Sequence, residues 1–121
     1  MRKILIVDDE EKIRDIYLRL FVQAGIVVRR AADAQQATNI LIREEIDLIL
    51  LDINMPRVDG RTMFEVIEEY NPQAKVIVSS VYSIERQKQL VPRAIDYFDK
   101  SEGPLKLLEK VINTLMTQPA Q

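Results

Sequence analysis

Five short apolar runs alternate with stretches of helical periodicity, which predicts an α/β fold with a parallel sheet wrapped by helices. Leu48-Ile49-Leu50-Leu51 is one such run, unbroken by any polar residue, as suits a strand covered on both faces. The runs also stop at polar groups: Asp8-Asp9, Asp52, Ser79-Ser80 and Asp99-Lys100. In a parallel sheet those ends open on one rim, where open α/β folds place their ligands.

Taken in order, residues 3–7 form the first strand and stop at Asp8-Asp9-Glu10. Residues 10–23 carry Ile13, Ile16, Tyr17, Leu20 and Phe21 at helical spacing, with Gly25 as the C-terminal cap. Asp8 or Asp9 is placed to cap this helix. A second β-branched strand spans 26–31, and Asp33 starts a helix to about residue 43 with Ala37, Ile40 and Leu41 on its apolar face. The central strand, 48–52, leads into a loop over 54–59. A third helix, 60–69, packs through Met63, Phe64, Val66, Ile67 and Tyr70 until Asn71-Pro72 breaks it. Residues 76–78 make the fourth strand, 84–90 a short polar helix closed by Pro92, and 95–98 a brief fifth strand. Gly103-Pro104 opens the last helix, to about 116, with Leu105, Leu108, Val111, Ile112 and Leu115 as its stripe. Alternation alone does not determine strand order.

At 121 residues, 47% hydrophobic and 30% charged, the chain suits a single globular domain, expected over 1–117 with 118–121 as a polar tail or the start of a linker. A net charge of -2 provides no electrostatic pull toward nucleic acid or an anionic membrane. The first apolar run is too short for a signal peptide or membrane span, so a cytoplasmic location is expected. Cysteine and histidine are both absent, which removes disulfides, thiolate chemistry, the commonest general base and the commonest transition-metal ligand. Any chemistry must use carboxylates, lysines, hydroxyls and backbone groups.

The rim supplies such a set: Asp8 and Asp9 from strand one, Asp52 from strand three, Ser80 from strand four and Lys100 from strand five. Each has an ordinary alternative as a cap, turn residue or solvated surface group, so the joint pattern carries the inference. Carboxylates brought within a few ångströms repel, and a cation relieves the repulsion. With only oxygen ligands, a hard divalent ion is favoured, magnesium above all, with the Asn54 carbonyl as a further ligand. Asp52 can then serve as a nucleophile that forms an acyl phosphate. The metal and Lys100 would hold two phosphoryl oxygens, and Ser80 would donate to a third.

At these residues the chain resembles the receiver domain of two-component response regulators, over essentially its whole length. The matching motifs are Asp8-Asp9, Asp52-Ile-Asn54-Met55-Pro56 with Asp59-Gly60, Val76-Ile77-Val78-Ser79-Ser80, and Asp96-Tyr97-Phe98-Asp99-Lys100. The resemblance implies a doubly wound, flavodoxin-like sheet of order 2-1-3-4-5. It implies phosphorylation of Asp52 by a sensor histidine kinase or histidine phosphotransfer protein, and magnesium on Asp9, Asp52 and the Asn54 carbonyl, with Asp8 acting mostly through metal-bound water. Ser80 matches the family's switch hydroxyl and Tyr97 its switch aromatic. On phosphorylation the hydroxyl is expected to be drawn toward the phosphoryl group and the aromatic to move inward behind it, reshaping the face made by helix four, strand five and helix five, which addresses an output partner. The domain is expected to act as a monomer or a phosphorylation-dependent dimer and to catalyse only its own phosphorylation and dephosphorylation. The phosphohistidine must come from a partner, since this chain has no histidine. Arg14, Leu18 and Pro56 are the expected donor contacts.

Several features depart from the pattern. Ser101 replaces the proline that follows the lysine, so a cis bond there would cost about 3 kcal/mol and is not expected. Val81 stands where alanine or glycine is usual and is expected to narrow access to Asp52. Pro92-Arg93 and a shortened span from Ser80 to Lys100 predict a short or irregular fourth helix.

Rival readings fit less well. A haloacid-dehalogenase-type phosphohydrolase wants an acid two residues after its nucleophile, and that position is Asn54. A flavin carrier needs a hydroxyl- and glycine-rich loop after strand one, where Asp8-Asp9-Glu10 would repel phosphate. A receiver that has lost phosphorylation would not need the complete acidic, hydroxyl and lysine set.

Overall fold

The computed structural model describes residues 2–54 and 60–117. Its strands are β1 (Lys3–Val7), β2 (Val27–Ala31), β3 (Leu48–Leu51), β4 (Lys75–Ser80) and β5 (Asp96–Asp99). The helices are α1 (Glu11–Gln23), α2 (Ala34–Arg43), α3 (Gly60–Tyr70), α4 (Ile84–Leu90) and α5 (Pro104–Met116), with a 3₁₀ turn at Lys100–Glu102. All strand pairs are parallel and the order is β2-β1-β3-β4-β5, as the resemblance implied.

The sheet separates two apolar layers, because successive side chains of a strand face opposite sides. Leu5, Val7, Ile49, Leu51, Val76, Val78 and Tyr97 point to the side where α2 and α3 bring Leu41, Met63 and Ile67. Ile4, Ile6, Leu48, Leu50, Ile77 and Phe98 meet Tyr17 and Phe21 of α1 and Leu107, Val111 and Leu115 of α5. The fold is therefore doubly wound. All four residues of β3 are buried, which explains why its sequence shows no alternation. At roughly 1.5–3 kcal/mol per fully buried aliphatic side chain, this strand is a main stabilising element.

Local signals account for most boundaries. The Asp33 carboxylate accepts from the Gln36 amide at 2.8 Å and starts α2. Gly25 takes φ +81° to turn the chain out of α1, a conformation that costs a residue with a Cβ. Asn71, buried after α3, accepts from the Ile46 amide at 2.9 Å and donates to the Leu41 and Glu44 carbonyls at 2.9 and 3.2 Å. It thus ties the ends of α2 and α3 to the entry of β3. As predicted, α4 is short: Ser83 caps it, accepting from the Arg86 amide at 3.3 Å, and it stops just before Pro92.

Several expectations are corrected. Neither aspartate caps α1; Glu10 holds that position without a side-chain bond. The stripe of α5 runs through Leu107, Val111 and Leu115, while Leu105 is 76% exposed, because it falls on the outer side of the first turn. Ile16, Tyr70 and Ile95 are also exposed, the last lying just outside β5. Each satisfies the periodicity yet sits on a flank or at an element end, where no neighbour covers it.

Met55, Pro56 and Asp59 of the loop after β3, and the tail over 118–121, lie outside the described residues. No helix among the described residues is long and apolar enough to cross a membrane.

Candidate functional site

The C-terminal rim of the sheet gathers its acids through the sheet's own hydrogen bonds. The Asp8 amide donates to the Ala31 carbonyl at 3.1 Å and the Asp52 amide to the Val7 carbonyl at 2.9 Å. These bonds carry the ladder one step past β1 and β3 and hold both carboxylates at the edge. Asp8 and Asp52 are only 2% and 3% exposed, whereas Asp9 faces solvent. Carboxylate oxygens of Asp8, Asp9 and Asp52 all lie within 4.8 Å of one another.

Lys100 enters from the opposite side. Ser80 pairs with Asp99 in the sheet register, so the residue after Asp99 emerges beside the acids. Its ammonium donates to Asp8 Oδ2 at 2.7 Å and stands 3.5 Å from Asp52 Oδ2. The following turn needs no cis peptide: Asp99 Oδ1 accepts from the Ser101 amide at 2.9 Å and from its hydroxyl at 2.8 Å. Asp99 therefore caps a 3₁₀ turn, with Ser101 as the donor where the family has proline, and Lys100 still reaches the acids.

Backbone donors complete the carboxylates' environment. Asp8 Oδ1 accepts from the Glu10 amide at 3.0 Å and Asp52 Oδ1 from the Asn54 amide at 2.9 Å. Arg14 donates to the Asp8 carbonyl at 2.8 Å, so the side chain expected to face a donor protein also braces this strand end.

Burial is the main force on Asp52 and pushes its pKa up from 3.8 to about 6. The Asn54 amide and Lys100 oppose that rise, and the Asp8 and Asp9 charges add to it. Burial alone would lower the pKa of Lys100, but the Asp8 hydrogen bond and the Asp52 and Asp8 charges outweigh it and hold the ammonium above its usual range. One lysine facing three carboxylates leaves the cluster short of positive charge. An all-oxygen donor set with a charge deficit fits a hard divalent cation. A cavity of about 190 Å³ opens over the cluster, lined by Asp9, Glu10, Asp52, Asn54, Val81 and Lys100.

Asp8, Asp9, Asp52, Asn54 and Lys100 thus come together as the sequence predicted. Ser80 reaches the rim but does not line the cavity: it is fully buried, and its Oγ accepts from the Tyr82 amide at 3.2 Å. Val81 stands at the mouth instead, 62% exposed. Tyr97 is buried in this structure, its hydroxyl donating to the Val91 carbonyl at 2.5 Å. Its ring lies inward, the orientation that the resemblance associates with the phosphorylated state. Leu18 is half-buried on α1, and Pro56 lies outside the described residues.

Tyr17 is a neighbour that periodicity assigned to the core alone. Burial raises its pKa, and its hydroxyl feels Ser79, Lys100, Asp8 and Asp52. The Ser79 hydroxyl is buried without a partner at full hydrogen-bonding geometry, so the two oxygens approach without a well-formed bond. A phenol in an apolar stripe close to the rim was the available signal, since buried tyrosines direct their polar tip toward polar groups.

The response regulator receiver domain family model matches residues 4–112. The chain belongs to that family. This receiver is 33% identical over 102 residues to the sporulation initiation phosphotransferase F of Bacillus subtilis, covering 81% of both chains. It is 33% identical over 118 residues to a protein-glutamate methylesterase/protein-glutamine glutaminase of Archaeoglobus fulgidus, spanning 94% of this chain but only 34% of that protein. Among solved structures, the response regulator TrrA of Thermotoga maritima in complex with magnesium and beryllofluoride is 31% identical, with a TM-score of 0.83 over 94% of this receiver and 99% of that chain. The receiver is a signalling domain of two-component systems, and a relative of this fold carries a magnesium complex.

Proposed function

We propose that this receiver accepts a phosphoryl group on Asp52 from a phosphohistidine of a sensor kinase or phosphotransfer protein and relays the signal to an output partner. The observation that carries the reading is the buried Asp52 carboxylate, 3.5 Å from the Lys100 ammonium and clustered with Asp8 and Asp9 under an open cavity. In the transfer an Asp52 oxygen forms the O–P bond as the N–P bond to the donor imidazole breaks. The imidazole leaves with the bonding electrons and takes up a proton. Asp8, Asp9, Asp52 and the Asn54 carbonyl would hold a magnesium ion, which when bound supplies positive charge against the carboxylates and the phosphoryl oxygens. Lys100 shifts its ion pair from Asp8 toward one phosphoryl oxygen. Ser80 exchanges the Tyr82 amide for another, carrying the loop after β4 with it.

Val81 at the cavity mouth slows entry of donor and water alike. The output surface is the face of α4, β5 and α5, read by a partner protein or domain as a monomer or phosphorylation-dependent dimer, in the cytoplasm, without direct contact to nucleic acid. The domain comprises residues 1–117, with 118–121 as a tail or the start of a linker.

Acetyl phosphate with magnesium tests this reading by intact mass. Wild type should gain a single hydroxylamine-labile phosphoryl group and Asp52→Asn none. A wild type that never gains mass, or a variant that gains it equally, refutes the assignment.

A further inference from the structure

Gln87 of α4 is fully buried, and its amide nitrogen makes two hydrogen bonds to different elements. Nε2 donates to the Tyr82 carbonyl in the loop after β4 at 2.9 Å and to the Phe98 carbonyl of β5 at 2.8 Å. The two carbonyls settle which end of the amide faces them, since the oxygen there would be repelled by both. Oε1 is left buried with no donor. A buried amide that serves packing alone ordinarily has both its ends satisfied.

The bonds form a short chain from the phosphoacceptor rim to the output face. Ser80 Oγ accepts from the Tyr82 amide, the Tyr82 carbonyl accepts from Gln87, and the same Gln87 nitrogen reaches β5. At the far end of α4, the Tyr97 hydroxyl donates to the Val91 carbonyl, so that helix hangs on β5 at two points. Ser80 cannot turn toward Asp52 without giving up the Tyr82 amide, and the next carbonyl of that residue is fastened by Gln87.

We propose that Gln87 is a positioning residue, a latch that holds the loop over 80–82 in the orientation with Ser80 turned from the Asp52 cavity, so that occupancy of the site must release it. The inference rests on Asp52 being the phosphoacceptor. The unpaired Oε1 keeps the latched state from being too favourable, because a released amide can satisfy its oxygen. Release removes one of the two points that fasten α4 to β5, which couples the site to the output face.

The test uses ¹⁵N-labelled full chain with magnesium and beryllofluoride. In wild type the Gln87 side-chain amide protons should exchange slowly before beryllofluoride is added. They should shift and lose protection afterwards, together with the Tyr82 backbone amide. Gln87→Met keeps the volume but has neither donor nor unpaired acceptor, and should bind beryllofluoride roughly tenfold more tightly, the worth of about one buried hydrogen bond. A packing role alone would lower the Tm of the variant and leave that affinity unchanged, which overturns the latch. If the variant does not fold, wild type decides: Gln87 amide protons identical with and without bound beryllofluoride overturn it. A wild type that binds no beryllofluoride at all refutes the phosphoacceptor reading itself, and the latch with it.

Discussion

At the scale of single residues, the burial of Asp52 carries a cost. Its carboxyl titrates near 6 in the folded protein, against 3.8 for the ordinary side chain, chiefly because it is buried. The folded state therefore binds this proton more tightly than the unfolded chain, so ionised Asp52 opposes folding at pH values above 6. That opposition fades as pH falls from 6 toward 4. In chelator, Asp52→Asn should raise stability at pH 8 by about 2–3 kcal/mol, with the gain shrinking below pH 6 and vanishing near pH 4. Urea denaturation at several pH values reads this directly. A gain that stays constant with pH would mean that burial is not what perturbs the carboxyl. Identity and position of this acid were legible from the way Leu48–Leu51 stops at it. Its raised pKa was not, because that depends on how deeply its neighbours cover it.

At the scale of elements, α3 shows how the rim is braced from below. Gly60, its first residue, has room for nothing larger: a Cβ there would lie 2.7 Å from Cγ2 of Ile53 and 3.1 Å from Cγ2 of Val91. Ile53 directly follows Asp52, and Val91 is the C-cap of α4. Three segments therefore converge where only hydrogen fits, and the β-branched Ile53 has little freedom to yield. Gly60→Ala should destabilise the protein by about 1–3 kcal/mol, measured by thermal or urea unfolding. An unchanged midpoint would show that the approach relaxes easily. The motif Asp59-Gly60 marked a turn in the sequence, but the steric reason for glycine appears only when α4 is seen against α3. The same limit explains Leu105, which periodicity enlisted for the core although α5 begins beside open solvent.

At the scale of the molecule, the two-sided sheet makes ligand binding and folding one equilibrium. Asp8 and Asp9 follow β1, Asp52 follows β3, and Lys100 follows β5, so their cluster exists only when β1, β3, β4 and β5 are assembled. A cation bound there adds to global stability in proportion to its occupancy. Magnesium at a hundredfold excess over its Kd should raise unfolding free energy by about 2.7 kcal/mol. Asp9→Ala should abolish most of that gain while leaving the metal-free protein folded. Thermal unfolding with magnesium and with chelator measures both, and a wild-type Tm indifferent to magnesium would remove the metal from the site.

By itself the sequence determined the element types, the α/β class, the acids and lysine at the strand ends, and the short fourth helix. Those features follow from periodicity, capping chemistry and the abrupt end of apolar runs, which are local and survive without coordinates. Tertiary structure decided the rest: that Ser80 turns to the Tyr82 amide, that Tyr97 lies inward on Val91, that Tyr17 reaches under the acids and that Gln87 spans α4 and β5. Each depends on a rotamer or hydrogen bond between residues brought together by packing, and no pattern along one element specifies which partner across the sheet a side chain will meet.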